Sequence, residues 1–210
     1  MHLSLPMALA DFVPVGLFLA ASVLLQRDLY NKMSKGAFAL FSGGTIMVFL
    51  AGACKALWKL LYALGLCDFT ALSAMFFPMQ TAGFVLAALA LIALLTARQG
   101  KGTAYAVAAV PPVFSGTMLF VALTLLGTLG LCGCLSLIAL RIRRKAAAVW
   151  FVLAFILMMA MGYLSSRDFS QAASHWMAEG VNILGQGALL LGVLDLHRHG
   201  LASAALHKRS

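Results

Sequence analysis

Four side chains that can exchange a proton or a hydrogen bond, His175, Glu179, Asn182 and Gln186, stand at offsets of 0, 4, 7 and 11 in an otherwise apolar stretch. That spacing puts all four on one face of a helix. A second set, Lys55, Lys59 and Tyr62 at offsets of 0, 4 and 7, also shares a helical face. Asp11, Ser73 and Gln80 are further polar residues in apolar surroundings. The chemistry on offer is of two kinds. His175 and Glu179 are acid–base candidates, and two lysines against two acids make a mixed-charge group suited to a zwitterionic or polar solute.

Interhelical glue is the simpler use of such residues. Lys55 or Lys59 paired with Glu179 or Asp11 would hold helices together, with about 1 kcal/mol per hydrogen bond, and Lys59 could instead snorkel to headgroups along its own stem. The excess of polar groups over what one bridge needs tips the reading toward a solvated pocket or pathway. Lys55, Lys59, Tyr62, Gln80, His175, Glu179, Asn182, Gln186 and Asp11 are therefore the candidate ligand-binding or pathway residues.

The elements that must position these residues are set by an unusual composition. Of 210 residues, 63% are hydrophobic and 10% charged, against about 25% charged in soluble domains. Uncharged runs such as 83–97 and 146–161 are what lipid-exposed helices require. One transmembrane domain over 1–210 follows, a multi-pass protein of the cell membrane. Met1–Ala10 holds no Lys or Arg, so the first apolar segment is expected to be retained as a span. The formal charge of +9 is a matter of loop topology and contact with lipid headgroups, not of nucleic-acid binding.

Five spans are plain, at about 8–25, 37–65, 69–97, 146–164 and 174–196. The stretch between Lys101 and Arg141 is too long for one crossing of about 20 residues. It reads as one tilted helix after an apolar segment at Pro111-Pro112, or as two helices, 103–122 and 125–140, joined by a turn at Gly127-Thr128-Leu129-Gly130. Charge separates these. With seven spans and the N-terminus outside, Arg27, Lys32, Lys35, Arg98, Lys101, Arg141, Arg143, Arg144, Lys145, Arg198, Lys208 and Arg209 are all cytoplasmic, 12 of the 15 basic residues. Six spans would put the 141–145 cluster and the 26–36 loop on opposite sides, against the positive-inside rule. The expectation is an all-α bundle of seven membrane spans with a cytoplasmic C-terminus, six spans being the alternative.

In that arrangement Lys59 lies about 9 Å and Glu179 about 8 Å from the outer ends of their helices, at 1.5 Å per residue. The buried polar groups thus share the outer half of the membrane. Trp58, Tyr62 and Trp176 read as outer interfacial anchors, and Trp150 and Tyr30 as inner ones. Pro78 is expected to kink its helix and free a carbonyl near Gln80. Glycines 43, 44, 127, 130, 133, 185, 187 and 192 suit close helix contact.

A parallel three-plus-one-plus-three repeat would account for the two Gly-rich helices that end in basic tails, Ala97-Arg98-Gln99-Gly100 and His197-Arg198-His199-Gly200. In length and helix count the chain is similar to small sugar transporters of the SWEET type, which use a parallel repeat. Their Pro-Gln signatures are matched here only by Pro78-Met79-Gln80, so the likeness is an analogy.

Other chemistry finds no support in the residues. There is no phosphate-cradling glycine loop, no HExxH motif, no histidine pair for haem and no lysine in the last span for a retinal Schiff base. Cys132 and Cys134 are two apart and point in different directions on a helix, which argues against a chelate. No metal site and no cofactor are expected, and all four cysteines read as structural or incidental. A Ser/His/acid set could be drawn from Ser165 or Ser73, His175, and Asp68 or Asp168, but nothing in their spacing demands it. Three functions stay open: transport or binding of a small polar or zwitterionic solute, a lipid-modifying membrane enzyme, and a sensory or assembly subunit acting through a homo-oligomer or a separate partner.

Overall fold

The structure, a computed structural model, describes residues 4–96, 117–165 and 172–204, with side chains from 119 in the second stretch, to 164, and from 175 in the third. The described residues form helices and turns only: α1 (Leu5–Ala10), α2 (Phe12–Leu29), α3 (Lys35–Ala63), α4 (Thr70–Ala74), α5 (Phe76–Thr96), α6 (Thr117–Arg141), α7 (Lys145–Ser165) and α8 (Ala172–Arg198).

Six helical stretches among these residues are long and apolar enough to cross a membrane: Leu5–Leu29, Lys35–Ala63, Thr70–Thr96, Leu119–Arg141, Lys145–Leu164 and His175–Arg198. Their outward faces keep large apolar residues such as Leu126, Val149, Ile156 and Leu184 exposed. A bundle of this kind is compatible with a lipid surround. The expected turn at 127–130 is absent, because residues 117 to 141 form one continuous helix. Residues 117–122 of the expected fourth span belong to that helix, and its remainder, 103–116, lies outside the described residues.

Two proline effects shape the N-terminal halves of the first and third stretches. Pro14 has no N–H for the carbonyl of Ala10, and the helix breaks between α1 and α2 at Asp11. Pro78 likewise frees the carbonyl of Ala74, and the break falls at Met75, between α4 and α5. The freed carbonyl is thus four residues before Pro78 and not beside Gln80 as expected.

The helices close a ring in the order α2, α3, α5, α6, α7, α8 and back to α2. Phe18 of α2 meets Phe84 of α5 across it, ring centroids 6.2 Å apart, so the middle is filled. Paired residues give the direction of each seam. Residue 11 meets 59 and 26 meets 45, so α2 and α3 are antiparallel. Lys55 lies over Phe76 while Gly44 touches Gly83 and Ala87, so α3 and α5 are antiparallel. Gly185 meets Leu157 and Gly192 meets Phe151, so α7 and α8 are antiparallel too.

Two seams run parallel. Thr81 shares a hydrogen bond with Thr124 at 2.6 Å, Gly127 packs on Phe84 and Val85, and Gly130 packs on Ala88, so α5 and α6 point the same way. Asp28 bonds to His197 at one end of the α2–α8 seam and Asp11 lies beside Glu179 at the other, which makes α2 and α8 parallel.

Close approach depends on particular glycines. A Cβ on Gly44 would stand 2.6 Å from the carbonyl oxygen of Gly83, and one on Gly192 would stand 2.7 Å from the Phe151 ring. Gly127, Gly130 and Gly185 also lie against a neighbouring helix. Gly43, Gly133 and Gly187 meet nothing within 4 Å, contrary to the packing role expected of them.

Candidate functional site

The site is built from the α1–α2 junction at Asp11, the C-terminal third of α3 and the start of α8. Lys59 Nζ lies 2.5 Å from Asp11 Oδ2. Both side chains are sheltered, with 19% and 9% exposure. Glu179 is 5% exposed and Asp11 8%. The Glu179 carboxyl lies within hydrogen-bonding reach of Asp11 and within range of the Lys59 and Lys55 charges. Lys55 Nζ sits 3.9 Å over the centre of the Phe76 ring, a cation–π contact with the segment that follows the Met75 break. The proline breaks therefore bring one acid and one aromatic ring to the same pair of lysines.

Hydrogen-bond supply in this region is incomplete. Asp11 Oδ2, Glu179 Oε1 and Gln186 Oε1 are buried without a hydrogen-bond partner. Gln186 lies on the Glu179 face of α8, seven residues deeper, with Asn182 between them. Asn182 and Gln186 are half-buried residues. Buried polar atoms in proteins are usually satisfied; Asp11 Oδ2 faces the Lys59 ammonium, whereas Glu179 Oε1 and Gln186 Oε1 face no donor among the described residues.

Of the nine candidates, Asp11, Lys55, Lys59 and Glu179 are brought together. His175 is half-buried one turn outward of Glu179. Tyr62 turns to Trp58 instead, with ring centroids 6.0 Å apart. Trp58 Nε1 donates to Asp68 Oδ1 at 2.9 Å, so Trp58, Tyr62 and Asp68 form an outer rim group. Gln80 is half-buried on α5, and no side-chain hydrogen bond ties it to another described residue. Its neighbour Thr81 is instead the polar residue joined to α6. All four cysteines are free, and no group of three or more His, Cys, Asp or Glu that could hold a metal ion occurs among the described residues.

The opposite end of the bundle carries a second polar group that the residue pattern did not single out. Asp28 is buried and both its carboxylate oxygens lie 3.0 Å from His197 Nδ1. Arg144 Nη2 donates to Asp195 Oδ1 at 2.8 Å, joining α7 to α8, and Lys32 Nζ donates to the carbonyl of Ala204 at 2.6 Å. Burial draws the Lys32 ammonium below its usual pKa, with the Asp28 charge acting in the other direction. Gly200, with φ of 75°, turns the chain after α8 so that Leu201 is fully buried beside these contacts. The clue was available: two of the six acids, Asp28 and Asp195, sit in basic tails where an acid has no topological use. These inner groups are mutually partnered and act as a clamp.

The chain matches no protein-family model, no curated protein and no solved structure.

Proposed function

We propose that this protein is a seven-span carrier or binding subunit of the cell membrane that takes a small polar or zwitterionic solute at the Asp11–Lys55–Lys59–Glu179 site. The observation that carries the reading is the pair of acceptors without a donor, Glu179 Oε1 and Gln186 Oε1, both buried on one face of α8, the first within range of the Lys55 and Lys59 charges. Glue alone would leave no acceptor unfilled, because an unpaired buried polar atom is costly. The acid–base pair His175 and Glu179 has no nucleophile assigned to it, and so the enzyme reading is the weaker one.

The seven-span arrangement is supported by the two parallel seams. Successive crossings alternate in direction, so α5 and α6 can be parallel only if the intervening chain returns across the bilayer. The parallel α2–α8 seam makes the same demand independently, since first and last spans agree in direction only when their number is odd. The orientation is supported by charge: Arg27, Lys32, Lys35, Arg141, Arg143, Arg144, Lys145 and Arg198 share one end of the bundle, while Lys55 and Lys59 lie toward the other. The first end is cytoplasmic and the site opens toward the outer half. Matching α2, α3 and α5 to α6, α7 and α8 maps every seam of the ring onto another, including α5–α6 onto α8–α2. That permutation is what a parallel repeat about an axis normal to the membrane produces.

Uptake into proteoliposomes loaded with the full chain tests the function. A panel of small zwitterions and amines should contain at least one solute accumulated above empty vesicles, with uptake falling at least about tenfold in Asp11→Asn/Lys59→Met. Uptake that the double variant leaves unchanged would remove the site from the function.

A further inference from the structure

The ring falls into two groups of three helices, α2–α3–α5 and α6–α7–α8, which meet along the α5–α6 and α2–α8 seams. Glycine contacts tell these two seams apart. Across α5–α6, a Cβ on Gly127 would stand 2.8 Å from the Val85 backbone nitrogen, and one on Gly130 would stand 2.7 Å from the Ala88 Cβ. Inside the groups, Gly44 meets Gly83, Gly52 meets Val15, and Gly185 and Gly192 meet side chains of α7. Across α2–α8 no glycine makes such an approach among the described residues, since Gly16, Gly180 and Gly187 meet nothing within 4 Å. One seam between the groups is therefore fixed backbone against neighbour, and the other is closed by side chains.

The hydrogen bonds of the α2–α8 side lie at the basic end. Both carboxylate oxygens of Asp28 are 3.0 Å from His197 Nδ1, and Lys32 Nζ, just beyond α2, donates to the Ala204 carbonyl, just beyond α8, at 2.6 Å. Asp28 is 3% exposed and sits in the last turn of α2, where burial and the helix dipole both oppose its charge. A sheltered ion pair commonly holds no better than apolar side chains of its size. His197 keeps 33% of its side chain exposed, so water reaches one partner of the pair. Such a contact suits release and re-formation more than permanent joining.

We propose that Asp28–His197 and Lys32–Ala204 form a latch on the α2–α8 seam, and that the two three-helix groups part there by swinging about the α5–α6 seam. The inference rests on the carrier reading, because a solute held beside Asp11 and Glu179 at the far end of this seam leaves along it toward the basic end. Gln186, between Glu179 and His197 on α8, offers its unpartnered Oε1 on the way.

Spin-label distances in the full chain, with the native cysteines changed to alanine, test the latch. One label pair is placed at the exposed Val23 of α2 and Leu191 of α8, and a reference pair at the exposed Ile92 of α5 and Leu137 of α6. Asp28→Ala/Lys32→Met breaks both contacts without stranding a carboxylate. It should lengthen the 23–191 distance by about 5 Å, the scale of a one-turn shift between packed helices, and leave the 92–137 distance unchanged. His197→Lys keeps a cation beside Asp28 and should hold the wild-type distance. Asp28→Asn alone gives the same comparison if the double variant does not fold. An unchanged 23–191 distance would overturn the latch, and equal lengthening of both pairs would overturn the α5–α6 pivot. A bifunctional maleimide joining Val23→Cys to Leu191→Cys should lower proteoliposome uptake of glycine or methylammonium at least about tenfold. Uptake that survives this cross-link would overturn the route and leave the solute site standing. Lengthening in a protein that takes up neither solute would uphold the latch while the carrier reading falls.

Discussion

Lys59 has two acids within reach and sits against Asp11, although the helical stripe on α8 had made Glu179 the equally natural partner. Asp11 lies at the α1–α2 junction, against Lys59 of α3 and beside Glu179 of α8. Replacing Lys59 with Met should strand a buried carboxylate and destabilise the protein by about 3 kcal/mol, the scale for breaking a sheltered ion pair from one side. Adding Asp11→Asn should return most of that loss, because an amide carries no charge to desolvate. Thermal unfolding in detergent of the single and the double variant reads the difference. A single variant as stable as the wild type would mean that water already screens Asp11. At this scale the co-location of Asp11, Lys55, Lys59 and Glu179 was legible, since polar residues in a lipid-facing chain are few and helical spacing groups them. The same rule gives a face but not the neighbour that covers it: Tyr62 lies against Trp58, and Gln80 is half-buried on α5.

The glycines separate what a helix needs from what a turn needs. Gly127 and Gly130 resemble turn punctuation, yet both lie within α6 and allow α5 to approach, with Gly130 set against the Ala88 side chain. In water a glycine pair often ends a helix, whereas between membrane helices it lets backbones come close, and composition alone does not separate the two uses. The Gly43-Gly44 pair offers a direct contrast. A Cβ on Gly44 meets backbone atoms of Gly83 and Ala87 at 2.6 and 2.8 Å, which cannot rotate away. Gly44→Ala should therefore force α3 from α5 and lower the melting temperature markedly, on the scale of about 1–3 kcal/mol for overpacking. Gly43→Ala meets open space and should be neutral or stabilising by up to about 1 kcal/mol through helix propensity. Melting curves of the two variants check the pair, and equal effects would contradict the α3–α5 seam.

The fold class was readable from composition, because a chain with 10% charged residues has no means of coating a soluble globule. The number of crossings was harder. Hydropathy shows where lipid-compatible helices lie, but parity is a property of how helices pair, and pairing appears only once Thr81 meets Thr124 and Asp28 meets His197. The described residues show six such helices, with α5 parallel to α6 and α2 parallel to α8; a seventh crossing is the proposal that these seams and the sorting of Lys and Arg support. The inner clamp of Asp28, His197, Arg144 and Asp195 was not anticipated, because acids in basic loops look like solvated surface until a tertiary partner covers them.

The proposed outward placement of the site goes with the proposed seventh crossing, because both assign the basic end of the bundle to the cytoplasm. Thiol labelling in intact cells or sealed vesicles tests it with a built-in reference, because Cys67 is exposed between α3 and α4 while Cys132 and Cys134 are buried. Membrane-impermeant maleimide added outside should label Cys67 and should not label cysteines introduced as Gln99→Cys or Arg143→Cys, both of which should react only after the inner side is opened. Labelling of either introduced cysteine from outside, in vesicles where Cys67 reports the same side, would contradict the seven-span arrangement and the outer placement of the site with it.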